Sequence, residues 1–173
     1  MTRKRTRKRP LHFDLTSELK EILGIAVTEV FGISELSALS IYSEVGTDML
    51  KWKTDHHFTS WLGLAPNTKI SGGKVISSRI GKKKHHAGQV FRVAAMSLNH
   101  TKGPLGDHFR RIKANAGTPK AVVACARKLA IIYYHMVLNK EAFNPQALLD
   151  YQNRYKDKKI NQLKQKIAKL EAA

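Results

Sequence analysis

The sequence is poor in acid. Thirteen Asp and Glu stand against 31 Lys and Arg in 173 residues, a formal net charge of +18. A compact body so charged repels itself unless polyanions are its usual neighbours, which points to nucleic acid first, with a merely soluble basic surface as the alternative. Cysteine occurs once, at Cys125. That excludes an internal disulfide, and the apolar run around it reads as a buried core thiol in a cytosolic, nucleoid-associated protein. No apolar run reaches the roughly 18 residues of a membrane span, and the N-terminus has no apolar signal core, so neither a membrane nor export is expected. No GKS or GKT closes a phosphate loop and no GxSxG elbow occurs, which disfavours ATP and ester hydrolysis.

Metal ligands are also sparse. The histidine pairs His56 with His57 and His85 with His86 have no Cys pair or carboxylate cluster beside them, and neighbouring helical residues point in different directions. Asp48 and Asp55 are the only acids close in sequence to the basic loop described below, too few for a two-metal site. The chain by itself is therefore expected to bind no cofactor.

What is present is a core and a concentrated positive charge. Hydrophobic residues make up 42%, enough for a folded domain. From His56 through Gly106 no Asp or Glu occurs, while Lys69, Lys74, Arg79, Lys82, Lys83, Lys84, Arg92 and Lys102 all do. Such clustering is the footprint of phosphate binding, with DNA the first partner. Met1–Pro10 carries six Lys or Arg and reads as a disordered basic arm.

Periodicity predicts a mostly α, compact helical domain. Leu15, Leu19, Ile22 and Leu23 form one short helix ended by Gly24. Val27, Val30, Gly32, Ile33, Leu36, Ala38, Ile41 and Val45, with Ser34 as N-cap, place a glycine turn between two apolar helices. That element is helix-hairpin-helix-like: Gly32 could admit a DNA phosphate, or the pair could be a plain core hairpin, with Glu35 opposing an anion. Thr54 caps a helix bearing Phe58, Trp61 and Leu62. Further helices start near Ala87, after Gly103–Pro104, at Thr118–Pro119 and at Asn144–Pro145. In the last, Ile160, Leu163, Ile167 and Leu170 step at coiled-coil spacing, short of a secure oligomerisation signal. The organisation is thus an arm over 1–12, a domain over 13–143 and a Lys-rich C-terminal helix over 144–173.

Residues 65–84 lack helical periodicity and are rich in Gly, Ser, Pro and Asn, predicting an exposed loop with a short hairpin at Val75 and Ile76. Within it, Lys69, Ile70, Ser71, Gly72, Gly73 and Lys74 set a hydroxyl beside two residues without side chains. A phosphodiester could approach Ser71 while N–H groups and Lys69, Lys74 and Arg79 neutralise its charge. Serine beside glycine is more often only a turn.

Several motifs occur together in order. Phe58-Thr59-Ser60-Trp61-Leu62-Gly63-Leu64-Ala65-Pro66-Asn67, then Ser71-Gly72-Gly73-Lys74 and the basic stretch to Lys84, then Phe91, Arg92, Ala94 and Ala95, resemble the C-terminal domain of transposases of the insertion-sequence 110 family. Ala121, Val122, Ala124, Ala126, Arg127 and Lys128 continue the likeness, which covers about Phe13 to Lys140. The resemblance implies that Ser71 attacks a DNA phosphodiester to give a phosphoserine intermediate. It also implies that Lys69, Gly72, Gly73, Lys74, Arg79, Lys82, Lys83, Lys84, Arg92 and Gly32 contact DNA. In that family a resolvase-like acidic domain precedes the serine domain, and an element-encoded RNA guides target choice. Nothing like that domain precedes Phe13, so the sequence reads as a truncated transposase, with Mg²⁺ expected only alongside the missing part. Guide RNA, an intact transposase and a second copy of the chain are further partners in this reading, and a non-catalytic DNA- or RNA-binding remnant is its alternative.

Overall fold

A computed structural model describes residues 14–81 and 85–171. The basic arm and the Lys82, Lys83 and Lys84 candidates lie outside the described residues. Those that are described form seven α-helices and one two-stranded sheet: α1 Leu15–Leu23, α2 Glu35–Val45, α3 Asp55–Trp61, β1 Lys69–Ser71, β2 Lys74–Ser77, α4 His86–Ser97, α5 Pro104–Ala116, α6 Thr118–Asn139 and α7 Pro145–Glu171. The mostly α expectation holds.

Local chemistry explains most boundaries. Asp14 accepts from the Thr16 and Ser17 N–H groups, Ser34 from Ser37 N–H and Thr54 from His57 N–H, each satisfying donors that a helix start leaves free. Gly24 closes α1 in the left-handed region, and Lys140 donates to the Leu23 carbonyl at 2.9 Å. That places a cation at the negative end of the helix. One cap differs from expectation by a residue: α6 starts at Thr118 with Gly117, not Thr118, in the capping position. Gly117 has φ +84°, a conformation that glycine adopts without strain.

α6 is the central helix. It packs against α3, α4 and α5, burying Ala121, Cys125, Ala126, Leu129, Ala130, Tyr133 and Val137. Burial pushes the Cys125 thiol up to about 11, so it behaves as a small apolar group. Contrary to the sequence reading, α6 is long and apolar enough to cross a membrane by length and composition, with mean hydropathy 1.5 over an 18-residue window. Arg127 and Lys128 interrupt the apolar run, but the many apolar residues around them keep the average high. Half of that window is buried against the neighbouring helices, as a core helix requires.

Two further differences concern the glycines. The first arm of the glycine-hairpin element is a single 3-10 turn, Val27–Glu29, rather than an α-helix. A Cβ on Gly32, at φ +87°, would lie 2.7 Å from the Ala94 carbonyl oxygen and 2.8 Å from Ser97 Oγ. Close packing on α4 therefore accounts for this glycine. Gly88 is tighter still: its Cβ would lie 2.2 Å from the Leu62 carbonyl oxygen, so α4 rests directly on the backbone that follows α3.

The start of α7 packs on α5. Gln152 donates to Asp107 at 2.7 Å and the Arg111 guanidinium lies 3.8 Å over the Tyr155 ring. Beyond that, Ile160, Leu163, Ile167 and Leu170 are exposed, leaving the coiled-coil-spaced stripe uncovered. Beneath α7, Arg111 donates to His108 Nδ1 at 2.9 Å, which requires the neutral ring. Burial, then the charges of Lys128 and Arg111, lower the His108 pKa from 6.5 to about 4.

Two outcomes follow. Gly88→Ala should destabilise the chain by about 1–3 kcal/mol through overpacking, lowering the thermal midpoint by roughly 2–10 °C in circular dichroism; an unchanged midpoint would contradict the close approach. Because the unfolded histidine takes up a proton more readily than the folded one, His108 should stabilise the fold fully above pH 6.5 and lose that contribution as pH falls toward about 4. Urea titrations across this window should show a shallower acid loss for His108→Gln than for the wild-type chain; parallel profiles would refute the assignment.

Candidate nucleic-acid interface

The segment predicted as an extended basic loop is a β-hairpin. β1 and β2 pair antiparallel, with Ser71 opposite Lys74, Ile70 opposite Val75 and Lys69 opposite Ser77. Gly72 and Gly73 form the two-residue turn with φ of +55° and +73°. Consecutive positive φ values match the turn twist that hairpins prefer, and only glycine enters them freely. Strands of three and four residues are too short to reveal a period, so the sequence placed a short hairpin at Val75 and Ile76 without its pairing. Val75 and Ile76 lie in the second strand, and Ile76 is the extra residue of a bulge facing Lys69. The Asn67 N–H donates to the Arg79 carbonyl at 3.0 Å, and Pro66 bridges to Ile80, extending the ladder toward the body.

Strand alternation sorts the chemistry. Cross-strand partners share a face, so Lys69, Ser71, Lys74 and Ser77 lie on one side and Ile70 and Val75 on the other. All residues of both strands are exposed except the half-buried Ser77. The hairpin therefore stands out from the helical body, with Ser71 beside its tip and two lysines on the same face. No hydrogen bond joins the Ser71 hydroxyl to another described residue, and in particular no histidine or carboxylate stands by to take its proton.

The roots of the hairpin are held firmly. Leu62, Gly63 and Leu64 are buried on one side and Ala87 and Gly88 on the other. Arg92 donates to the Gly63 carbonyl at 2.7 Å, so one arm of a predicted DNA contact is spent on positioning the hairpin base. Glu44 of α2 accepts from the Ala87 N–H and contacts His85 Nδ1 at 3.1 Å. Burial pushes the Glu44 carboxyl up, but the Ala87 N–H and His85 outweigh it and hold it below the usual carboxylate range. His85 also lies 4.3 Å from the Trp61 ring centroid. This Glu44–His85–Trp61 arrangement was missed in the sequence because its members are far apart along the chain; the only local signal was Glu44, an acid near the end of the apolar helix α2.

The other candidates are placed apart from this hairpin's ladder. Gly32 sits in the turn before α2 and faces α4. Asp55 contacts His135 at 3.5 Å and His56 at 3.4 Å, and His56 contacts Arg127 at 3.2 Å. Asp48 accepts from the Leu50 N–H at 2.9 Å in a turn. Among the described residues no three His, Cys, Asp or Glu gather as a metal ion would need, so these residues do not fit a Mg²⁺ site.

No curated protein matches the chain. Residues 25–110 match the model of the Transposase IS116/IS110/IS902 family, a narrower span than the resemblance read from the sequence, with α6 outside it. That span holds the hairpin, Ser71 and both clamped roots, and the chain thus carries a transposase domain of the IS116/IS110/IS902 family.

Proposed function

We propose that this chain is a DNA strand-transfer module in which Ser71 is the nucleophile and the hairpin's cationic face binds the phosphate backbone. The observation that carries the reading is an exposed serine beside a Gly-Gly turn, flanked by Lys69 and Lys74 on one face, within the family-matched residues. The Ser71 oxygen attacks phosphorus, the P–O bond to one deoxyribose breaks, and the displaced oxygen takes up a proton. The phosphoserine keeps a phosphoester bond, so a strand hydroxyl can attack it and restore both the DNA and the serine. Lys69 and Lys74, with Arg79 near the hairpin root, offset charge on the non-bridging oxygens. The base that removes the serine proton, and any Mg²⁺, come from outside the described residues. An acidic resolvase-like domain is the proposed source, and guide RNA, a second copy or an intact transposase are proposed partners in a nucleoid-associated cytoplasmic setting.

The absence of a base beside Ser71 among the described residues favours one second reading, a DNA- or RNA-binding remnant without chemistry. The two differ in a covalent adduct. Denaturing gels of the chain with element-end DNA, Mg²⁺ and the acidic domain in trans should show a protein–DNA species that Ser71→Ala abolishes. With DNA binding intact and a competent partner, no adduct from the wild-type chain selects the remnant.

Both readings share backbone binding. The logarithm of affinity should fall linearly with the logarithm of salt, with a slope near −0.9 per phosphate neutralised. Replacing Lys69, Lys74 and Arg79 by Ala should reduce that slope by about 1 per residue, measured by fluorescence anisotropy. A salt-independent affinity would sink both.

A further inference from the structure

We propose that the reverse face of the hairpin is an apolar wedge that enters the DNA at an opened base step, packing Ile70 and Val75 against bases and deoxyriboses. This deepens the proposed function and rests on it. Ile70 and Val75 are 65% and 61% exposed, and the register sets them side by side, opposite the face of Ser71 and Lys74. Two large aliphatic side chains side by side on so short an element lose the benefit of burial that the core residues enjoy. Two short strands alone are only marginally stable in water, so covering this face would also fix the hairpin that carries Ser71.

Charge selects the occupant. No Asp or Glu occurs from His56 through Gly106, and Lys69, Lys74 and Arg79 are all exposed around the apolar pair. DNA offers what both faces require within one nucleotide: an anionic phosphate for the lysines and the serine, and an apolar base and sugar surface for the aliphatic side chains. A two-stranded ribbon fits a DNA groove, and aliphatic wedges are able to unstack a step and kink the duplex. Opening the step would turn the adjoining phosphate toward the Ser71 face. The aliphatic residues would thus supply distortion while the lysines supply attraction.

The test uses the full chain and a short mixed-sequence duplex with 2-aminopurine at a central TA step, where unstacking is easiest. Binding is followed by anisotropy and unstacking by 2-aminopurine fluorescence. The wild-type chain should raise the fluorescence on binding. Ile70→Ser with Val75→Ser, both at exposed positions, should abolish that rise and weaken affinity roughly tenfold with the salt slope unchanged. Lys69→Ala with Lys74→Ala should instead reduce the slope. Circular dichroism and thermal melting report whether each variant keeps the helical body. Equal fluorescence and affinity for the wild-type and Ser variants would overturn the wedge while leaving backbone binding standing. If the Ser variant changed only the sedimentation coefficient, the face would belong to a second copy of the chain, and the wedge would again be wrong. If the wild-type chain failed to bind the duplex, the proposed function would fall and the wedge with it.

Discussion

The structure depends on one backbone contact, the seating of Gly88 on the Leu62 carbonyl. No side chain larger than hydrogen fits between α4 and the end of α3, so these elements approach at backbone distance. Nearby polar ties reinforce the seat: Arg92 holds the Gly63 carbonyl and Glu44 holds the Ala87 N–H. Since the hairpin leaves the body after Leu64 and the described chain returns at His85, both of its roots are fastened in one place. A protruding element of small strands thereby gains a fixed origin, as the proposed attack on a phosphodiester requires.

Backbone punctuation was readable because caps act over three or four residues. Ser34, Thr54, Gly24 and Asn144 each marked an end that hydrogen bonding or positive φ then explained. The hairpin was only half readable: Gly72 and Gly73 announced a turn, but strands of three and four residues carry no period, and their two faces emerge only from the register. Gly32 and Gly88 show the opposite limit. A glycine that serves another helix looks the same in sequence as one that serves a ligand, because the neighbour it admits lies far along the chain. The hydropathy of α6 was likewise underestimated, since counting uninterrupted runs discards windows in which Arg127 and Lys128 are outweighed by many small apolar residues.

For the candidate site, composition pointed to a polyanionic partner and only the family resemblance singled out Ser71, while the side on which each residue lies needed the fold. Ser71, Lys69 and Lys74 are brought together by strand pairing, whereas Arg92 is turned inward and Gly32 toward α4. A serine beside cations, with no hydrogen-bonded base among the described residues, is an incomplete set for nucleophilic attack. On the proposed reading, that incompleteness makes cleavage conditional on assembly, since a hydroxyl with nothing to accept its proton is a poor nucleophile until a second component arrives.

The pinned roots have a further consequence for how such a domain can change. Residues 66–81 leave and rejoin the body beside a rigid seam while contributing little to its core. That makes the hairpin a cassette: its length, tip and aliphatic face can be exchanged without repacking the helices beneath it. On the proposed reading, DNA preference is therefore free to diverge rapidly in a scaffold whose own folding remains under a different and much stricter selection.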